Sequence, residues 1–168
     1  TKGSGLPLRI PVIEMVEIGA GGGSISSVDA LGRIQVGPRS AGSEPGPACY
    51  GRGGEDATVT DADVALGRIG AADFAGGTMA LDADAARTAI AKAIGERLDL
   101  QGPLAALGLS EVVDENMANA ARVHAIERGK DLADRTLIAF GGAAPVHAAR
   151  IAQKLGIDVV VVPQDAGV

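Results

Sequence analysis

The sequence predicts an α/β fold, with short β patterns near its start and helices alternating with strands toward its end. A strand–helix–strand signature closes the chain. Residues 136–140 are strand-like, Gly141-Gly142-Ala143-Ala144 forms a turn, residues 145–155 have helical spacing up to Gly156, and residues 159–162 form a second apolar run read as a buried strand. Such a βαβ unit implies neighbouring parallel strands joined by a right-handed crossover. Near the other end, residues 24–28 and 33–36 flank Asp29-Ala30-Leu31-Gly32 and predict a hairpin.

The remaining elements follow from periodicity and caps. Residues 10–18 place Ile10, Val12, Val16 and Ile18 in a strand pattern that the run Gly19-Ala20-Gly21-Gly22-Gly23 ends. Residues 37–54 form a loop without period, punctuated by Pro38, Pro45, Pro47 and several glycines; a loop of that length inside a compact domain is mobile or functional. Thr60 is expected to cap a short helix over 61–68, with Asp61 and Asp63 as helix-start acids. Asp82 caps a longer helix reaching about Leu98. Ser110 is expected to cap a helix over 111–128, its apolar face including Val113, Met117, Ala120, Ala121, Val123 and His124, with Gly129 in the left-handed cap position. The chain therefore divides into a β and loop part, 1–60, and a helical and βαβ part, 61–168, within one domain-sized piece.

Composition removes several function classes. Hydrophobic residues are 46% and charged residues 21% of the chain, the balance of a globular protein rather than a disordered one. The net charge of -6, with aromatics at 2%, argues against nucleic-acid binding. The longest apolar runs are too short to span a membrane. A single cysteine, Cys49, cannot form an internal disulfide, which agrees with a reducing, cytoplasmic setting. Glycine supplies 25 of 168 residues, about twice the usual share. The chain starts at Thr1 rather than Met and stops at Val168, and is expected to be an internal to C-terminal fragment of a larger subunit.

Two glycine motifs are candidate ligand sites. Gly141-Gly142-Ala143 joins the carboxyl end of a strand to a helix start. Ligands bind at that edge of open α/β sheets, glycine allows close backbone approach, and helix-start N–H groups favour anions. The alternative is a tight turn without a ligand. Gly21-Gly22-Gly23, followed by Ser24, resembles a dinucleotide fingerprint, but strand-like residues follow it and no helix start waits for a pyrophosphate. A backbone nest for phosphate, close packing against a neighbour, and a plain glycine bend all remain open. A nicotinamide-cofactor reading would need a helix directly after Ser24.

Other features favour structural roles. Ala75-Gly76-Gly77-Thr78 lacks an aspartate at the spacing a phosphate loop needs and is read as a plain loop. Cys49 has no histidine nearby in sequence and is read as a packed thiol. His124 lies on an apolar helix face. His147 falls in the first turn after Gly142, near the proposed ligand edge, where a neutral imidazole is expected because the helix dipole disfavours its charged form. Two histidines without a Cys or carboxylate cluster give no metal site. No residue is assigned as catalytic.

Several stretches together carry a resemblance. They are Glu17-Ile18-Gly19-Ala20-Gly21-Gly22-Gly23-Ser24-Ile25, Val36-Gly37-Pro38-Arg39-Ser40-Ala41-Gly42, Pro45-Gly46-Pro47-Ala48-Cys49-Tyr50-Gly51-Arg52-Gly53-Gly54, Thr58-Val59-Thr60-Asp61-Ala62-Asp63 with Leu66-Gly67-Arg68, and Ala139-Phe140-Gly141-Gly142-Ala143-Ala144-Pro145-Val146-His147-Ala148. In this order and spacing the chain resembles the hydantoinase A/oxoprolinase family over nearly its whole length. The resemblance implies part of an actin-, Hsp70- and sugar-kinase-like (ribonuclease-H-like) ATPase fold. It places Phe140-Gly141-Gly142-Ala143 at the adenosine-side loop. It implies an ATP- and Mg²⁺-dependent hydrolase that opens a hydantoin, 5-oxoproline or lactam by phosphorylating its carbonyl oxygen. The close variant is an ATP-dependent ketone carboxylase subunit; the competing reading is a non-catalytic module that chiefly holds a partner subunit, with the long loop as its interface. It also implies a B-type partner subunit or domain and an oligomer in the full-length form. The family's Asp-Gly-Gly-Thr phosphate loops are expected upstream of Thr1, so this piece alone should be inactive.

Overall fold

A computed structural model describes residues 15–167. The hairpin is present: β1 (Ser24–Val28) pairs antiparallel with β2 (Ile34–Ser40), matching Val28 to Ile34 and Ser26 to Val36, with a bulge between Ser24 and Ser26. The Asp29 carboxylate organises the turn by accepting from the amides of Leu31 and Arg33, each at 2.9 Å. The second strand runs four residues beyond the expected Val36, into the segment read as loop. Of the strand expected over 10–18, residues 10–14 lie outside the described residues, and 15–18 belong to no regular element.

The first helix, α1 (Val59–Ala65), is capped by Thr58 rather than Thr60. The Thr58 hydroxyl accepts from the Asp61 amide at 3.3 Å, and the Asp61 carboxylate accepts from the Thr58 amide at 2.8 Å, closing a capping box. Thr60 lies inside the first turn, where its amide donates to the Gly22 carbonyl at 2.8 Å. The next helix starts as expected, α2 (Ala83–Ile90) on an Asp82 cap, and continues through a π-helical turn (Ala91–Gly95) into α3 (Glu96–Leu98).

The long helix α4 (Gly102–Glu127) begins eight residues before the expected Ser110 cap. Pro103 sits in its first turn, where a missing N–H costs nothing, and Ser110 is buried in its interior. Gly129, with φ +59°, ends it in the left-handed position, as expected. The βαβ unit then forms: β3 (Thr136–Ile138) pairs parallel with β4 (Val159–Val161), joined by α5 (Ala144–Leu155).

One apolar core gathers Val28, Val59, Ile90, Ile94, Leu109 and Val113 between the hairpin and helices α1, α2 and α4. A smaller one joins Cys49, Val64, Leu81 and Ala86, flanked by Tyr50 and Phe74. The expectation that residues 159–162 are buried does not hold among the described residues. Val159 is 52% exposed, Ile138 57% and Phe140 70%. The paired strands are the two neighbours of a single ladder, whereas parallel strands acquire burial from layers on both faces.

Candidate functional site

The glycine corner stands where the sequence places it, at the carboxyl end of β3 and the start of α5. Gly141 has φ +94°, a conformation open to glycine and strained for other residues. Its amide donates to the Ala166 carbonyl at 2.5 Å. A Cβ built on Gly141 or Gly142 would meet no atom within 4 Å, so side chains do not plug the corner. Ala143 takes the N-cap position of α5 and offers no capping side chain to the helix-start amides.

Gly142 and Val146 form one wall of a cleft of about 630 Å³; Arg68, Ile69, Asp73, Phe74 and Gly76 are among the residues of the facing wall. That volume is in the range of small-molecule sites. The facing wall includes the stretch read from sequence as a plain loop. It turns through three consecutive left-handed residues, Ala75 (φ 52°), Gly76 (φ 66°) and Gly77 (φ 79°).

The second glycine motif meets the first. A Cβ on Gly22 would come 3.9 Å from the Ala143 Cβ and 2.8 Å from Thr60 Oγ1, and one on Gly23 would come 2.9 Å from Ser40 Oγ. The Gly21 amide donates to Ser24 Oγ at 2.9 Å. Gly22 and Gly23 thus permit close packing of the bend on α1, β2 and the corner. No helix follows Ser24; a strand does.

Behind the corner lies a buried ionic cluster that the sequence analysis did not assemble. His147 Nδ1 is 2.7 Å from Asp114 Oδ1, and Nε2 is 3.3 Å from Asp63 Oδ2. All three residues are at most 2% exposed. Arg68 Nη1 lies 3.6 Å from Asp63 Oδ1 and 3.7 Å from Asp114 Oδ2, and donates to Ser110 Oγ. Burial opposes a charge on His147, but the carboxylates of Asp114 and Asp63 outweigh it and lift its pKa from 6.5 to about 9. The expected neutral imidazole is therefore an imidazolium at neutral pH, because two buried acids outweigh the helix dipole. Asp63 is more than a helix-start acid: it lies on the α1 face that meets α5. The local signal is the five-residue spacing of Asp63 and Arg68 and the place of His147 in the first turn of α5.

Cys49 is fully buried and its thiol pKa is pushed up by burial and by the Asp61 charge, an inert packed thiol. His124 is half-buried on α4, away from this cluster. Among the described residues no group of three or more His, Cys, Asp or Glu side chains is arranged to hold a metal ion. No described helix is long and apolar enough to cross a membrane.

The sequence matches the hydantoinase/oxoprolinase family over residues 1–168. The chain belongs to that family. Among hydantoinase/oxoprolinase relatives, it is 45% identical over 159 residues to the caprolactamase subunit alpha of Pseudomonas jessenii, covering 95% of this chain and 23% of that protein. It is 46% identical over 143 residues to the acetophenone carboxylase gamma subunit of Aromatoleum aromaticum, covering 84% and 20%. It is 33% identical over 184 residues to 5-oxoprolinase 1 of Arabidopsis thaliana, covering 100% and 14%. The chain thus spans under a quarter of the length of these relatives. Two solved structures share its fold at TM-score 0.81. One is the ATP-dependent caprolactamase of Pseudomonas jessenii, at 46% identity over 88% of this chain and 21% of that one. The other is nucleotide-free acetone carboxylase, at 32% identity with the same coverage. The α/β ATPase-fragment class expected from the sequence agrees with both.

Proposed function

We propose that this chain lines an adenine-nucleotide cleft in an ATP-dependent enzyme that opens a cyclic amide such as a hydantoin, 5-oxoproline or a lactam. The observation that carries the proposal is the open glycine corner: Gly141 and Gly142 present bare backbone at the end of β3, beside a cleft of about 630 Å³. In this reading Gly141, Gly142 and Ala143 take the nucleotide, with Arg68 and the Asp73–Gly76 stretch opposite. The α5 start favours the negative charge of its phosphates. Gly21, Gly22 and Gly23 act behind the corner, as the bend against which Ala143 rests. His147 is a neighbour of the site and does not face the ligand. ATP, when bound with Mg²⁺, supplies a phosphoryl group that activates a carbonyl or enol oxygen. No described residue is assigned to the metal.

A ketone carboxylase subunit is the second reading, favoured by the 46% identity to the acetophenone carboxylase gamma subunit. The names of the relatives, subunit alpha and subunit gamma, support the presence of partner subunits; a B-type subunit is the partner this reading assigns.

Two results test the nucleotide reading. In the full-length subunit, Gly142→Val adds a branched side chain to the corner and should weaken ATP binding about tenfold or more, measured by calorimetry, with thermal unfolding unchanged. Undiminished affinity would remove the corner from the site. The 168-residue chain by itself, mixed with ATP and Mg²⁺, should release no phosphate above background, because a chain spanning under a quarter of its relatives' length does not position all the reacting groups. Turnover at ordinary enzyme rates, roughly 1–100 per second, would overturn that expectation.

A further inference from the structure

The cleft has two walls from distant parts of the sequence, and one buried cluster holds Arg68 of the first wall and His147, the neighbour of Val146 in the second. Arg68 belongs to the wall that continues to Gly76; Val146, on the other wall, directly precedes His147. Asp63 and Asp114 each face both cations: Asp63 lies 3.3 Å from His147 and 3.6 Å from Arg68, and Asp114 lies 2.7 Å and 3.7 Å from the same two. Two carboxylates, one imidazolium and one guanidinium cancel in charge. We propose that this cluster sets the spacing of the cleft, with His147 as the positioning residue of the glycine corner and Arg68 as its counterpart on the opposite wall. The inference rests on the nucleotide reading of the cleft given above.

The physical case is one of leverage. His147 sits in the first turn of α5, which also forms the corner. Fixing that turn against α1 and α4 fixes Gly142 and Ala143. The pairs are dry, and buried pairs depend strongly on both partners being present. Asp63 Oδ1, Asp114 Oδ2 and His147 Nε2 have no hydrogen-bond partner; the two oxygens lie at ion-pair distance from the Arg68 guanidinium and the nitrogen at 3.3 Å from Asp63 Oδ2, whereas His147 Nδ1 and Asp114 Oδ1 are hydrogen-bonded. The arrangement therefore has slack on the Arg68 side and is tight on the Asp114 side. Arg68 is also the only member with a partly exposed side chain, at 26%, and so the member that a ligand in the cleft can reach.

The groups around His147 give a readout that packing alone would not. Asp63 comes from α1, Arg68 from the segment after it and Asp114 from α4; β4, which also packs on α5, contributes only valines. On the solvent side of α4 and α5, Arg150 pairs with Glu111, and Lys154 with Glu111 and Glu115. Loss of the imidazolium proton makes the cluster net negative, which loosens α5 and repels phosphate.

The test uses the full-length subunit, ATP as the probe, and calorimetry across pH. Wild-type Kd should rise about tenfold or more between about pH 7 and about pH 10, with its midpoint near the His147 value of about 9. His147→Gln should bind ATP weakly already at neutral pH and lose that pH dependence while melting cooperatively. Should His147→Gln fail to fold, Arg68→Gln at the partly exposed end serves instead and should raise Kd by a similar factor. Gly142→Val separates the two claims. If it weakens ATP binding while the cluster variants bind normally with a wild-type pH profile, the positioning role is wrong and the nucleotide reading stands. If Gly142→Val has no effect, the nucleotide reading fails and this inference fails with it.

Discussion

His147→Leu should destabilise the protein by about 3–5 kcal/mol, the scale seen when one partner of a buried ion pair is removed. The substitution keeps a side chain of similar bulk but leaves the carboxylates of Asp63 and Asp114, both at most 2% exposed, with Arg68 as their remaining cation. The pH dependence gives a second and independent signature. The folded-state pKa of His147 is raised to about 9 from 6.5, so its stabilisation is complete below the unfolded value and is lost as pH rises through the folded one. Between those limits the native state holds a proton that the unfolded chain has released, and stability falls with pH. The shift corresponds to about 3 kcal/mol over that window. Urea unfolding at several pH values from about 6 to about 10 measures it. The wild-type protein should lose stability across the range, and the leucine variant should lack that component. Parallel pH profiles for the two proteins would show that His147 is not the cation of the cluster.

Asp61→Ala is the second large expected effect. This buried carboxylate accepts from the Ala48 amide at 3.3 Å, the Cys49 amide at 2.7 Å, the Thr58 amide at 2.8 Å and the Thr58 hydroxyl at 2.7 Å. It joins the Pro-Gly-Pro-Ala-Cys-Tyr loop to the start of α1. Alanine removes an acceptor from all of these donors at once, and a buried donor left unsatisfied costs about 1–3 kcal/mol. A loss of about 3–5 kcal/mol is expected, since some donors will recover water. Asp61→Asn retains one acceptor oxygen and should fall between. The comparison is made by urea unfolding. An alanine variant within about 1 kcal/mol of wild type would mean that the loop does not depend on this carboxylate.

Asp61 and its neighbours also show where local pattern stops being decisive. Thr60, read as the cap from local pattern, stands two residues after another threonine, and it is Thr58-Val59-Thr60-Asp61 that forms the capping box. In the folded chain the box closes on Thr58, and the Thr60 amide, left in the first turn, is satisfied by Gly22, a residue 38 positions earlier whose approach only the folded chain creates. At α4, Ser110 carries the cap signal, but the helix starts eight residues earlier, with Pro103 in its first turn. A buried serine in mid-helix is tolerated here because Arg68 donates to its hydroxyl. The strand pair at the end of the chain was legible as a unit, since a glycine-stopped helix between two β-branched runs has few other solutions. Its expected burial was not, because burial depends on the layers around a strand rather than on its own residues.

Local chemistry alone determined the hairpin, the Asp82 cap, the parallel β3–α5–β4 unit, the glycine corner and the family. Each depends on neighbours within a few turns of chain, or on motif strings that need no partner to be recognised. The charge state of His147, the union of the two glycine motifs, and the pairing of Arg68 with Asp63 and Asp114 were decided only by the tertiary structure. Apart from the local Arg68–Asp63 contact, they join residues 33 to 121 positions apart, and Coulomb interactions between buried groups depend on distance in space and on the exclusion of water.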